Sequence, residues 1–186
     1  MRFFCSDLHL GGNEVLEREN RPFDDWLSYA YYQIKVINKV ADIGDEIYVL
    51  GDFLNCNDKE IENTLYFIKY IHADVILIIG NNEDRVIDRR FNGSFEDFRD
   101  YCLRLGFKEV YKELYLKMYG RTFYLQHYIN AVKKDYINLF GHIHRAYGWS
   151  HKYGINVSLD LNHFQLWSEF DILRFLYAKW QWFDKG

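Results

Sequence analysis

The stretch Tyr136-Ile137-Asn138-Leu139-Phe140-Gly141-His142-Ile143-His144 decides how the rest of the chain is read. Ile137, Leu139 and Phe140 supply the apolar side chains of a short buried strand, and Gly141 ends it. His142 and His144 follow at i and i+2. In extended chain that spacing turns both imidazoles the same way, toward one site past the strand end. A lone His-x-His is as readily a surface loop, but here the arrangement recurs. Ile47-Tyr48-Val49-Leu50 runs into Gly51-Asp52, and Val75 to Ile79 runs into Gly80-Asn81. Phe3-Phe4-Cys5 leads through Ser6 to Asp7-Leu8-His9, and Phe123 to Gln126 leads to His127. Five apolar runs each end in a residue able to hold a metal. Groups gathered outside the carboxyl ends of strands are where an open α/β sheet keeps its chemistry.

Composition narrows the class. A chain of 186 residues, 49% hydrophobic with a single Pro, fits one globular domain spanning residues 1–186. A net charge of −4 gives no basic surface for an extended nucleic acid. Cys5, Cys56 and Cys102 are odd in number and lack Cys-x-x-Cys spacing, which suits a reducing, cytoplasmic setting. With few apolar residues before Asp7, a signal peptide is not expected. The apolar stretch from Trp167 to Phe183 carries Glu169, Asp171, Arg174 and Lys179, so a membrane span is not expected.

Along the chain, Met1 to Ser6 reads as the first strand and Leu10 to Asn20 as a polar loop. Pro22 with Asp24 and Asp25 opens a helix that runs through Trp26, Ala30, Ile34 and Ile37 to about Ile43. Asn55 to Asn57 is a loop, and Asp58 caps a helix marked by Ile61, Leu65, Ile68 and Ile71. Asp74 to Ile79, apolar almost throughout, is a central strand covered on both faces. Strand–helix–strand–helix–strand implies a parallel sheet with right-handed crossovers. Glu83 to Arg90 reads as a helical turn or irregular segment, followed by a helix from Ser94 or Phe95 to Leu105 that Gly106 closes. Val110, Leu114, Leu116, Met118 and Phe123 suggest short antiparallel strands turning at Tyr119-Gly120. Asn156 to Leu161 is a late strand, and Ser168 caps a last helix bearing Phe170, Leu173, Phe175 or Leu176, and Trp180. The fold class is α/β, a sandwich of mixed strands flanked by helices.

The candidate ligands are Asp7, His9, Asp52, Asn81, His127, His142 and His144, which include four of the seven histidines. Imidazole mixed with carboxylate oxygen suits first-row divalent ions. Seven protein ligands exceed one tetrahedral ion and fit two ions sharing a carboxylate. In this ordered set the chain resembles the calcineurin-like metallophosphoesterase superfamily, whose pattern is D-x-H, G-D, G-N-H-[DE], H and G-H-x-H. Asp7-x-His9, Gly51-Asp52, His127 and Gly141-His142-x-His144 match; the third block matches in part, as Gly80-Asn81-Asn82-Glu83. Asn20-Arg21-Pro22-Phe23 and the Asn156 to Asp160 segment look like the small stand-alone members.

The resemblance implies a metallophosphoesterase-like sandwich and two divalent transition metals, Mn foremost, with Fe, Zn, Ni or Co as alternatives. Asp7, His9, Asp52 and His144 would hold one ion. Asp52, Asn81, His127 and His142 would hold the other, with Asp52 bridging. Two divalent ions against two carboxylates leave about two positive charges, a trap for phosphate. Ions ~3.5–4 Å apart acidify a water and clamp an in-line displacement at phosphorus. The implied activity is hydrolysis of a phosphomonoester or phosphodiester by that water, on a small or nucleotide-like substrate. The chain departs from the pattern at Asn82, where the family has a His; an amide donates a hydrogen bond but delivers no proton. Asn82 is therefore expected to touch substrate without acting as an acid. Glu83 is either a helix N-terminal carboxylate or a catalytic one. Arg18, Arg21, Arg85 and Arg145 lie near the ligand loops, with Arg145 the foremost phosphate-binding candidate. His72, His151 and His163 are weaker candidates. The alternative function is a protein-interaction scaffold that keeps the fold and has lost the chemistry.

Overall fold

The computed structural model describes residues 1–55, 61–146, 150–151 and 154–182. Two five-stranded sheets pack face to face. The first has strand order β10-β1-β2-β3-β4, from Trp167–Ser168, Arg2–Cys5, Glu46–Leu50, Asp74–Ile78 and Glu109–Tyr111. The second runs β5-β6-β7-β9-β8, from Leu114–Met118, Arg121–Leu125, Ile137–Phe140, Gly154–Asn156 and Ser150–His151. Strands β1 to β4 are mutually parallel and β10 closes the edge antiparallel. This is the mixed-strand sandwich flanked by helices that the sequence implies.

The first sheet is buried on both sides, which explains its near-continuous apolar runs. Phe3, Cys5, Ile47, Val49, Val75 and Leu77 face one core. It also takes Tyr29, Ile34 and Ile37 of α2 (Trp26–Val40), Leu65 of α3 (Ile61–Tyr66), Val86 and Ile87 of α4 (Asn81–Arg90), and Phe98 of α5 (Phe95–Leu105). The alternating residues Phe4, Tyr48, Leu50, Ile76 and Ile78 face the second core, with Phe123, Leu125 and Leu139 of the other sheet and Ile172 of α6 (Glu169–Trp182). Strand order follows chain order from β1 to β4, so right-handed crossovers put every connecting helix on one face. The carboxyl ends of β1, β2, β3, β6 and β7 then meet at one rim of the sandwich.

Several local expectations are corrected. Within Leu10 to Asn20 lies a short helix, α1 (Glu14–Arg18), that buries Val15 and Leu16. The second helix starts after Asp25, whose side chain accepts from Ser28 N, and ends at Val40, before Ile43. The helix through Ile61 stops at Tyr66 and tightens into a 3₁₀ turn over Phe67–Tyr70. Glu83 to Arg90 belongs to a regular ten-residue helix that begins at Asn81. The Glu83 carboxylate accepts the Gly80 N–H at 2.8 Å, and acids at the first turn with Arg89 and Arg90 at the last suit the dipole. Val110 lies not in an antiparallel hairpin but in β4, parallel to β3, because α5 carries the chain back across the sheet. The hairpin at Tyr119-Gly120 is as expected, joining antiparallel β5 and β6. The late strand ends at Asn156; beyond it only Ser158 bridges, to Ser6, before the chain turns.

Ser168 does cap α6, exchanging hydrogen bonds with Asp171. The Asp58 cap and Cys56 lie outside the described residues, as do the side chains of His151 and Trp180. No helix among the described residues is long and apolar enough to cross a membrane.

Candidate functional site

All seven candidate ligands converge on that rim, but not by the extended geometry expected of His-x-His. Asp7 (φ 61°), His9 (53°), Asp52 (54°), His142 (72°) and His144 (47°) all take left-handed backbone. Each such residue costs about 1 kcal/mol or more, so each must be held by its surroundings. Backbone bonds do part of this: Asp7 N donates to Gly51 O at 3.1 Å and His9 N to Asp52 O at 2.8 Å. Asn156 Nδ2 donates to His144 O at 2.7 Å.

The strand ends approach so closely that only glycine fits between them. A Cβ on Gly80 would stand 2.5 Å from Asp52 Oδ1, and one on Gly141 2.3 Å from Ser6 Oγ. The Gly before each of these two ligand blocks is thus a packing requirement as well as a strand stop.

The ligand atoms form two groups. In one, Asp7, His9 and His144 bring donor atoms within 4.8 Å of one another, and His9 Nε2 stands 3.3 Å from His144 Nε2. In the other, Asn81 Oδ1 lies 2.8 Å from His142 Nδ1 and 3.1 Å from His127 Nε2, with the two ring nitrogens 3.2 Å apart. Asp52 divides itself between them, with Oδ2 3.5 Å from His9 Nε2 and Oδ1 3.6 Å from His127 Nε2. Ligands at ~2.1 Å from one ion and at right angles stand ~3 Å apart, which is the spacing seen.

Proton placement gives an independent test of fit. His127 Nδ1 lies 2.8 Å from the Leu50 carbonyl, which can only accept, so Nδ1 carries a proton and, in the neutral ring, Nε2 is the lone pair. That lone pair faces Asn81 Oδ1 at 3.1 Å, Asp52 Oδ1 at 3.6 Å and His142 Nδ1 at 3.2 Å. His144 Nδ1 donates to Asp160 Oδ2 at 2.6 Å. Burial opposes its charge, but the Asp160 and Asp7 carboxylates raise the ring above its ordinary value. In the neutral ring Nε2 is the lone pair, with Arg18 Nη2 3.4 Å away. In the neutral rings these nitrogens and the Asp52 and Asn81 oxygens are acceptors turned on one another, an arrangement that a cation satisfies. The donor set fits two divalent ions.

The carboxylates agree. Asp7 (0% exposed) and Asp52 (2%) are buried together. Burial and the Asp7 charge push the Asp52 carboxyl up to about 7. Despite burial, the neighbouring imidazoles hold Asp7 below its ordinary value. Asp7 accepts from Ser6 Oγ and His142 N, at 2.8 and 3.0 Å. Asp52 Oδ1 accepts from Asn82 N at 2.9 Å.

Glu83 is fully buried and accepts the N–H groups of Gly80, Asp52 and Leu54 at 2.8, 2.9 and 3.3 Å. Of the two roles open to it in the sequence, this geometry serves the helix N-terminal one, tying the loop after β2 to α4. The buried Asn82 side chain places Nδ2 3.1 Å from His9 Nδ1. For His9 Nε2 to act as a ligand the proton must sit on Nδ1, and the Asn82 amide then turns its oxygen to it.

A cavity of about 300 Å³ opens over both groups; Asn81, Asn82 and His142 line it, and Arg18, Arg85 and Glu14 form its walls. Arg145 is exposed and does not line it. Arg21, grouped with the other arginines in the sequence, is not at the surface: it is 4% exposed and paired with Asp160. Asp160 and its bond to His144 were missed because the residue reads as the end of a strand. Of the weaker histidines, His72 is exposed near Asp42, 3.8 Å away, and His163 lies in the turn after Asp160. Neither lines the cavity.

Comparison with known proteins gives the following. The family model described as calcineurin-like phosphoesterase matches residues 3–182. No curated protein sequence matches. A protein of unknown function from Aquifex aeolicus has the same fold, with TM-score 0.66 at 19% identity over 94% of this chain and 98% of that one. An archaeal phosphodiesterase (TM-score 0.47, 12% identity, 84% and 81% covered) and the E. coli phosphoesterase Yfce (0.40, 15%, 84% and 77%) are more distant.

Gly80→Ala should displace Asp52, at a cost of about 1–3 kcal/mol for the overlap. Titration with Mn²⁺ should show affinity lowered by at least tenfold in a variant that still folds; wild-type affinity would contradict the packing role.

Proposed function

The chain belongs to the calcineurin-like phosphoesterase family, and on that premise we propose that it hydrolyses a small phosphomonoester or phosphodiester at a two-metal centre. Asp7, His9, Asp52 and His144 would hold one ion, and Asp52, Asn81, His127 and His142 the other. The observation that carries this is Asp52, whose two oxygens turn toward different imidazole groups at 3.5 and 3.6 Å. When bound, the ions supply Lewis acidity that activates water and offsets charge on the phosphoryl group.

The chain's own residues supply the rest. Arg18 and Arg85 stand on the cavity wall and grip phosphoryl oxygens in our reading. Arg18 Nη2 already reaches within 3.4 Å of His144 Nε2. Asn82 stands where the family pattern has a His, and its amide, placed against His9, orients a ligand and carries no transferable proton. The leaving group therefore departs largely as an anion, which favours aryl and nucleotide-like esters over alkyl ones. A cavity of about 300 Å³ suits such small substrates. The scaffold alternative leaves the convergence of seven ligands without a purpose.

Purified protein loaded with Mn²⁺ should bind close to two ions per chain and turn over p-nitrophenyl phosphate or its bis ester well above alkyl phosphates. Asp52→Asn should lose most of both ions and at least ~10²-fold in rate, since Lewis-acid activation is worth several kcal/mol. Two bound ions without turnover would favour the scaffold.

Arg18→Ala and Arg85→Ala should each raise KM by about tenfold while bound metal stays at two ions, as expected for a charged hydrogen bond near the surface. Unchanged KM in both would remove them from substrate binding.

A further inference from the structure

Behind the ligands lies a buried ion pair, Arg21 with Asp160. The side chains of Arg21 and Asp160 are both 0% exposed. Arg21 binds Asp160 with two parallel bonds, Nε to Oδ1 and Nη2 to Oδ2, both 2.8 Å. Its remaining reach goes to main chain, Nη1 to Leu8 O at 2.9 Å and Nη2 to Asp7 O at 2.7 Å. The guanidinium lies 4.9 Å from the Tyr29 ring centroid and 6.0 Å from that of Phe164. Asp160 Oδ2 also takes the His144 Nδ1 proton, at 2.6 Å.

One buried pair thus touches three points: the carbonyls of Asp7 and Leu8, which lead into His9, and the ring of His144. Asp7, His9 and His144 all have left-handed backbone, so they need outside support. The other group has a different arrangement. His127 is oriented by the Leu50 carbonyl, and no Arg21 or Asp160 contact reaches Asn81, His127 or His142. A buried ion pair is a poor device for stability alone, because desolvation offsets most of its attraction. A planar fork with fixed donors is a good device for geometry.

We propose that Arg21 and Asp160 are positioning residues for one half of the centre, fixing the His144 tautomer and the Asp7–His9 turn so that this half holds its ion. The inference rests on the two-metal reading above. The Asp160 carboxylate fixes the proton on His144 Nδ1 and leaves Nε2 as the donor toward the ion. Arg21 keeps Asp160 in place and holds the turn whose carbonyls it grips. Loss of the pair loosens this half and leaves the Asn81, His127 and His142 half intact.

The full chain, wild type and variants, is titrated with Co²⁺ by visible absorbance and calorimetry, and near-UV circular dichroism follows the fold. In Arg21→Met/Asp160→Leu an apolar pair replaces the buried charges, a change that such sites often tolerate. One of the two Co²⁺ affinities should fall 10–100-fold and the other stay within about twofold. Arg21→Met/Asp160→Asn keeps an acceptor for His144 without stranding the guanidinium and should recover part of the loss. In the metal-free wild type, at a pH high enough for the ring to be neutral, long-range ¹H–¹⁵N correlation should show His144 protonated at Nδ1 alone, a reading that needs no variant. A neutral His144 with its proton on Nε2, both affinities unchanged, or both falling together with loss of the near-UV signal would each overturn the proposal. Failure of the wild type to bind Co²⁺ would overturn the two-metal reading as well; two tight sites unaffected in the variant would overturn this inference alone.

Discussion

Two carboxylates, Asp7 and Asp52, are buried side by side at the ends of neighbouring strands, and the rest of the site is built around their repulsion. Burial and the charge on Asp7 raise Asp52 to about 7. A protein that only needed to fold would place apolar residues there. Instead, backbone N–H groups of Asn82 and His142 and the Ser6 hydroxyl point at the carboxylates, and four imidazoles close around them. Such an arrangement favours positive charge in its centre, which links the family's metal-dependent chemistry to the packing of the sandwich.

Folding delivers this by bringing the carboxyl ends of five strands from two sheets to one rim. The first sheet is covered on both faces, and the two cores press its ligand loops against those of β6 and β7. Left-handed backbone at Asp7, His9, Asp52, His142 and His144 is the conformational cost of aiming side chains inward from strand ends. Glu83 under Asp52 and Arg21 under Asp7 and Leu8 are the buried charged groups that hold those turns.

Much of this was legible in the chain. Apolar runs stopped by Gly51, Gly80 and Gly141 marked where strands end and ligands begin, because the His127 ring, Asp52 and the Ser6 side chain pack against those points and exclude a Cβ. The sandwich of mixed strands followed from the same runs and the change of period after Gly106. Other features were not legible. Helix α1 is short and polar, and its place depends on burial of Val15 and Leu16 rather than on a pattern. The helix through Glu83 hid behind Gly80-Asn81-Asn82, which reads as a turn until the carboxylate is seen capping it. The extended geometry assumed for His142 and His144 was wrong, since local spacing says nothing about φ. Arg21 and Asp160 lie 139 residues apart, and only the closed fold makes them partners of His144.

The central claim is that one carboxylate, Asp52, serves two metal positions. A crystal structure of the Mn²⁺-loaded protein, with anomalous differences measured at the manganese edge, tests it most directly. The account predicts two peaks ~3.5–4 Å apart, one against each oxygen of Asp52. A single peak, or two with Asp52 bound to only one of them, would contradict it.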